Sequence, residues 1–586
     1  SNQNNILREA SQMKKSIKHN IQLNCTYFSS TSDMWSSRTM KAFMALTIHF
    51  LTEEFMMRSY TLEAKPVQGK HTGEMIMGEM ETSFLNWGLD KDRLSMMLRD
   101  SGLNMVKACK DWKIKHFPCI GLSLHLVVGP FLLVPKTKKS TAANNTDDDG
   151  TEESEAEADA NLDADIEEEE DAFSDAFDNA YANQEIILEI REVVQDMRKF
   201  CTFVKNSTKC IKKLEDLQNR LNTDSDAKVL KVQMDVWTQW NSTLAMIKRM
   251  LLLMQPINDF IAFYKSPAGK KEFKGNKTKV PDLTPKKWAI LQGLSYLLTP
   301  FERGTRLLSG KKYPTFVPAT PVLRYIKKCI SRADMFSYNN NVACTRRQKQ
   351  FFELNGDESF FGDVTRKLEV CRALLCGEFT KQFVGLDSCI LWCTLLDPWY
   401  NLRAAHWKNE SEKETAKKLL VKEVQDLANG DQILRQGQQG SPTGRPDDSL
   451  TMLSGGSDSN DEFSYTAYSK QKTTAVDYLS EATNLEEARL KIVAAQEVER
   501  YLVEIDDKTD EQLDPLEWWC SNCSRYPNVA CATWKWLSVS GTSTPSERVF
   551  SICGIVDTAK RAQMLGESIE NQVFVHNNYT QCLKLP

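Results

Sequence analysis

No uninterrupted apolar run in these 586 residues approaches the roughly 18–20 that a membrane span needs. The best candidate, LSLHLVVGPFLLV at 122–134, is too short and contains His125 and Pro130. The opening SNQNNILREASQMKKS lacks the basic region and apolar core of a signal peptide. Histidine is scarce, at seven, and no C-x-x-C pairs with an H-x-x-x-H-type word, so the usual zinc-finger spacing is missing. Cys520 and Cys523 form a C-x-x-C, with Cys531 and Cys553 further on, but two more ligands at sensible spacing are needed for a structural zinc. The 16 cysteines are scattered, which fits reduced thiols in an intracellular compartment better than a disulfide scaffold.

Net charge is also nearly absent: 74 bases against 79 acids give −5. That balance hides a division. Residues 147–178 hold 17 acids and no base; without them 74 bases face 62 acids, a net of +12. The body is therefore basic, which permits a polyanionic partner. The acidic block itself reads as a solvated disordered loop or as an electrostatic mimic of nucleic acid. What is present in quantity is core material: 41% hydrophobic residues and 13 tryptophans exclude a chain disordered throughout.

Residues 21–63 read as strands, with a turn at Glu53-Glu54. HTGEMIMGEMETSFLNWG at 71–88 reads as a helix stopped by Gly88, RLSMMLRD at 93–100 as a strand, and NMVKACKDW as a helix start. PCIGLSLHLVV is strand-to-helix or a buried helix. From Ile186, apolar residues at alternating steps of four and three run to Leu221, with polar misses at Ser207 and Gln218. That pattern is one long amphipathic helix or a helix pair. Helical patterns dominate 184–430, residues 431–472 read as a linker, and 473–586 are α-rich. A β-rich first part cannot close a layered α/β core alone, so the C-terminal segment is the expected donor of covering helices.

Three acids stand at element ends: Asp33 in SSTSDMWSS, Asp100 in MLRDSGLNM and Glu547 in TSTPSERVFS, in the first turn of an expected helix. Carboxylates so placed can converge on two Mg²⁺ or Mn²⁺ ions, roughly 3.5–4 Å apart, that stabilise the attacking and leaving oxygens of phosphodiester cleavage. Helix capping and surface roles are the ordinary alternatives. Eight lysines and two acids in 265–287, KSPAGKKEFKGNKTKVPDLTPKK, read as a flexible basic loop. Lys270, Lys271, Lys274, Lys277 and Lys279 are its candidate DNA contacts, of the salt-sensitive, phosphate-driven kind.

The words SDMWSS, RDSGLNM, CIGLSLHLVV, TQWNSTLAMIKRML, LLDPWYNL and STPSERVFSICGIV occur in the order found in one family. With EWWCSNCSRYPNVACATWKWLSVSGTSTPSERVFSICG, they make the chain resemble hAT-superfamily DNA transposases and their domesticated BED-finger relatives. The N-terminal BED finger itself is not found. The resemblance implies a ribonuclease-H-like core interrupted by an all-α insertion and completed by an α-rich C-terminal dimerisation segment. In those terms the chain divides into an N-terminal helical or linker segment (1–20), the first part of the core (21–135), an acidic disordered segment (136–183), the all-α insertion (184–430), a disordered linker (431–472) and the C-terminal dimerisation region that ends the core (473–586).

The resemblance also implies a DDE triad, with Asp33, Asp100 and Glu547 at the matching positions as catalytic and metal-holding residues. Trp240 matches a family tryptophan associated with a flipped base or hairpin; a core tryptophan before a capping Asn-Ser is the equal alternative. Arg548 either reaches phosphate or pairs with an acid. Three positions depart from the family pattern: Gln239 for arginine, Arg99 for threonine, and Leu122 for the histidine of a C-x-x-H word begun by Cys119. By strand alternation, Arg99 should point away from Asp100.

The implied activity is cutting and joining of DNA, in the nucleus, by a homodimer or higher homo-oligomer assembled through 473–586. Transposon ends and target DNA would be its partners, with no membrane. The alternatives are a catalytically impaired, domesticated DNA-binding and dimerising regulator, and a ribonuclease-H-like nuclease without strand transfer.

Overall fold

The computed structural model describes residues 2–36, 42–67, 71–132, 185–221, 228–236, 239–274, 280–310, 313–337, 351–353, 355, 358–385, 390–400, 407–439, 487–505, 514–556 and 566–582. The chain forms two compact units: Ser1–Phe50 with Met57–Asp387 and Ser538–Pro586, and Leu51–Met56 with Ser388–Leu537.

The first unit is built on a mixed five-stranded sheet. Helix α1 (Asn2–Asn24) runs past the 1–20 segment and takes the first residues, 21–24, of the stretch expected as strands. Its reason is a buried stripe, Ala10, Met13, Ile17 and Ile21, at steps of three and four. Strands β1 (Phe28–Ser36), β2 (Ala42–Leu51) and β3 (Met57–Val67) follow. Helix α2 (Gly73–Trp87) starts at Thr72, whose hydroxyl accepts from the Met75 amide, and stops at Gly88 with φ 69°. Then come β4 (Leu94–Arg99), α3 (Leu103–Asp111), β5 (His116–Pro118) and α4 (Ile120–Leu132). The sheet order is β3-β2-β1-β4-β5. β1 is antiparallel to β2 and parallel to β4, and β5 is parallel to β4.

The helical part of this unit begins with the pair α5 (Glu185–Lys205) and α6 (Thr208–Leu221). Both polar misses in its apolar pattern have structural roles. Ser207 lies in the break and its hydroxyl accepts from the Cys210 amide, while buried Gln218 bonds both the amide and the carbonyl of Leu230. Helices α7 (Trp240–Leu252), α8 (Met254–Lys265), α9 (Pro267–Glu272), α10 (Pro285–Leu308), α11 (Ala319–Ile330) and α12 (Phe361–Gln382) follow. The basic stretch at 265–287 is therefore not a loop from its start. Ser266 caps α9, Pro267 takes a first-turn position that wastes no N–H, and buried Phe273 packs on Phe260 and Tyr264.

The second unit contains a 3₁₀ turn (Leu391–Leu396), α13 (Glu410–Gln439), α14 (487–505), α15 (Pro515–Asn522) and α16 (Pro527–Trp536). Helix α13 continues nine residues into the expected 431–472 linker; the rest of that linker, like the acidic segment at 136–183, lies outside the described residues. Aromatic rings hold this unit together. Phe55 stacks on Trp519 and Trp534, while Tyr501 and Trp519 donate to the carbonyls of Leu395 and Leu396. The boundary at Ser538 cuts the 473–586 segment in two, because its last two helices pack elsewhere.

Those helices, α17 (Thr544–Val556) and α18 (Gly566–Cys582), join the sheet of the first unit. Alternation gives β1 and β2 two unlike faces. Phe28, Met44, Leu46, Ile48 and Phe50 point into a core shared with α1, α2 and α3. Trp35, Phe43 and Ala45 point the other way, into a smaller cluster with Val549, Phe550 and Cys553 of α17. Among the described residues no helix is long and apolar enough to cross a membrane.

Candidate functional site

The face under α17 carries the polar residues. Thr31, Asp33 and Trp35 share one side of β1. Thr31 bonds Ser546 at 2.6 Å, and Trp35 stacks on Phe550 with ring centroids 5.8 Å apart. Asp33 lies between them, 4% exposed and cross-paired with Ala45. In the parallel ladder Thr31 lies beside Leu98, so one further step of two brings Asp33 level with Asp100 at the end of β4. One Asp100 carboxylate oxygen accepts from the Gly102 amide at 3.0 Å. Arg99 is directed to the opposite face, donating to His116 Nδ1 at 3.2 Å and, from Nη1, to the Asp100 carbonyl at 2.6 Å. Strand alternation thus keeps its cation off the carboxylate side.

Glu547 is in the first turn of α17. Its side chain is exposed to solvent, though partly desolvated by the protein around it. That partial burial raises its carboxyl above the ordinary glutamate range, against an opposing pull from Arg548. The start of this helix is held from two sides. Buried Cys119 accepts through its sulfur from the Ser543 amide at 3.1 Å and from the Leu122 amide at 3.4 Å, so one thiol ties the starts of α4 and α17 together. Burial, then the Glu547 charge, push that thiol up to about 11. On the other side, Ser546 begins a buried file of hydrogen bonds. Ser546 meets Thr31, Thr31 meets Thr47 at 2.6 Å, Thr47 meets His49 Nε2 at 3.2 Å, and His49 Nδ1 meets Ser59 at 2.8 Å. Burial pulls His49 down to about 4, so the ring is neutral near pH 7.

The structure thus brings the three acids to one face and one end of the sheet. It does not draw them into a closed group: among the described residues, no three His, Cys, Asp or Glu side chains are clustered so as to hold a metal ion. In donor chemistry the three carboxylates suit Mg²⁺ or Mn²⁺; in spacing they are not already closed around one. The file through His49 escapes motif reading. Its signal is weak but present, because AFMALTIHFL places Thr47 and His49 two apart on an otherwise apolar strand.

The other candidates are placed as follows. Trp240 is 2% exposed, packed edge-on to Phe301 in the helical core, and as folded it offers no ring face to a base. Arg548 donates to the Ser309 carbonyl at 3.0 Å. Lys270, Lys271 and Lys274 are exposed on and just after α9, whereas Lys277 and Lys279 lie outside the described residues. Three further lysines of that stretch are engaged: Lys265 pairs with Asp282, Lys286 with Glu189 and Asp363, and Lys287 with Asp196. The segment from Ile120 is helical, so Leu122 and His125 share a face.

This arrangement matches known sequence families in the same order. Residues 31–116 match the ZBED1 RNase-like domain, 180–279 the ZBED1 RNase-like helical domain, and 497–579 the hAT family C-terminal dimerisation region. The chain is 20% identical over 568 residues to the "Putative AC transposase" of Zea mays, covering 93% of this chain and 55% of that protein. It is 23% identical over 310 residues to the "Putative transcriptional regulator tpeD" of Talaromyces stipitatus, covering 50% of this chain and 31% of that protein. It therefore spans about half the length of the first relative and about a third of the second. Together these matches support a hAT-type transposase or a domesticated relative of one. Its hAT dimerisation region supports homo-oligomerisation.

Proposed function

We propose that the chain is the body of a hAT-type DNA transposase that cuts and joins DNA by metal-assisted phosphoryl transfer, with Asp33, Asp100 and Glu547 as the carboxylates. The observation that carries this is their common placement: two neighbouring parallel strands and the first turn of the helix bonded to the first of them. Two Mg²⁺ or Mn²⁺ ions, when bound, would supply stabilisation of the attacking and leaving oxygens. The chain's own residues do the rest. The strand fixes Asp33 within a dry face, the Gly102 amide orients Asp100, and Cys119 with Thr31 sets the position of the helix that bears Glu547. Partial desolvation of Glu547 disfavours its bare charge, so a cation there relieves a cost already present in the fold. In this reading water and then a DNA 3′-hydroxyl are the nucleophiles, the working form is a homo-oligomer, and the compartment is the nucleus. Purified full-length protein should nick supercoiled plasmid in Mn²⁺, and Asp100→Asn should not. Equal nicking, or none by either, sinks the catalytic reading.

A second reading is a domesticated DNA-binding and dimerising regulator. The unclosed acid group and Leu122 in place of a histidine favour it. It predicts DNA binding and dimerisation, measured by anisotropy and light scattering, with no nicking.

A further inference from the structure

From Arg303 to Ala333 the chain carries eight bases and not one acid. This stretch is the end of α10, its connection and α11. The two helices approach closely at Gly304, where a Cβ would lie 2.7 Å from Ile326 Cδ1 and 3.1 Å from Val322 Cγ1. Burying that seam turns Arg303, Arg306, Tyr325, Lys327 and Lys328 outward, all of them exposed. Arg303 and the 44% exposed Tyr325 meet across the seam at 3.5 Å. Among the described residues, none of the four cations has an ion-pair partner. Of the acids at the two ends, Glu302 pairs with Lys248, and Asp334 with Arg332, the last base of the stretch, rather than with any of these four. A stretch that concentrates exposed cations without intervening acids repels itself, and a polyanion relieves that repulsion.

The position of this hairpin indicates which polyanion. The end of α10 supports the segment that carries Glu547. The Ser309 carbonyl accepts from Arg548, the Ser309 hydroxyl from Thr544 at 3.3 Å, and the Leu308 carbonyl from Thr542 at 3.4 Å, while Thr315 accepts from the Gly541 amide at 2.8 Å. Arg303 lies about 9 Å of helix rise from Ser309. We infer that the α10–α11 hairpin is a docking surface for the phosphate backbone of duplex DNA, placed to lead the strand onto the Glu547 end of the sheet. The inference rests on the DNA-processing reading and adds to it a surface other than the lysines of α9. Its side chains grip phosphate, so the contact is salt-dependent and indifferent to sequence.

The test is fluorescence anisotropy of the full chain on a labelled duplex from 50 to 200 mM KCl. The Arg303→Gln, Arg306→Gln, Lys328→Gln triple variant should bind about tenfold or more weakly at 100 mM and flatten the log–log salt slope by about 2–3, at about 0.9 per lost phosphate contact. Its melting temperature should match the wild type. Exchanging Arg303 and Arg306 for Lys should restore most of the slope. Should the triple variant unfold, exposed Lys328→Gln alone should still flatten the slope by about 0.9. An unchanged slope with intact wild-type binding overturns the hairpin surface and leaves the DNA-processing reading standing. No duplex binding by the wild type overturns both.

Discussion

The two faces of the five-stranded sheet are made by alternate residues of the same strands, yet they differ in kind. Met44, Leu46, Ile48 and Phe50 of β2 enter a core closed by α1, α2 and α3, with Phe574 of α18. Phe43 and Ala45 begin the opposite face, but Thr47 and His49 complete it with polar atoms. The first face is indifferent to chemistry and holds the fold. The second gives up apolar contact in order to fix the position of a helix, and it has to satisfy every buried polar atom it introduces. A sheet can thus separate apolar packing from polar positioning at a spacing of one residue.

Four measurements break or sharpen this division. Asp33→Asn on the polar face should reduce Mn²⁺-dependent nicking about a thousandfold or more, with folding free energy changed by no more than about 1 kcal/mol. Phe50→Ala on the apolar face should do the reverse, costing about 3–5 kcal/mol in denaturant titration through the cavity it leaves. His49 should give the polar face a pH signature. Its folded value near 4 lies below the ordinary 6.5, so the unfolded chain takes up the proton first. Stability is then lost as pH falls from about 6.5 toward 4, by about 3 kcal/mol at most, and His49→Gln should flatten that fall in melts across the range. Thr31→Val removes both hydroxyl links of the file and should cost about 1–3 kcal/mol. It should also speed amide exchange in 544–556, and Thr31→Ser should restore protection.

Much of the sheet was legible because its signals are local. Gly88 stops α2, Glu53-Glu54 mark the β2–β3 turn, and Asp100 ends an apolar strand. The misreadings have physical causes. Ile21 completes the buried stripe of α1, but next to Leu23 and β-prone neighbours it reads as the start of a strand. Pro267 looks like a breaker and is a starter, because Ser266 caps the turn it opens. The division at Ser538 is tertiary: nothing in the 473–586 composition says that α15 and α16 pack in one unit and α17 and α18 in the other. In the candidate site, the three acids were legible by position in their family words, and Arg99 by alternation. The His49 file was not, since hydrogen bonds among four elements leave no spacing in one stretch of chain. Nor could the TQWNST word separate a buried Trp240 from an exposed one.

The bond between Thr31 and Ser546 spans 515 residues of chain. At ordinary synthesis speeds of 5–20 residues per second, the second partner follows the first by roughly 25–100 s. Most of the apolar face can gather in that time, because α1, α2 and α3 are made early, although Phe574 of α18 joins it last. The polar face has to wait for α17. A chain halted anywhere before Ser546 therefore holds Asp33 and Asp100 without Glu547 or the helix that seats it, so under the proposed catalytic reading an interrupted product should not cut DNA.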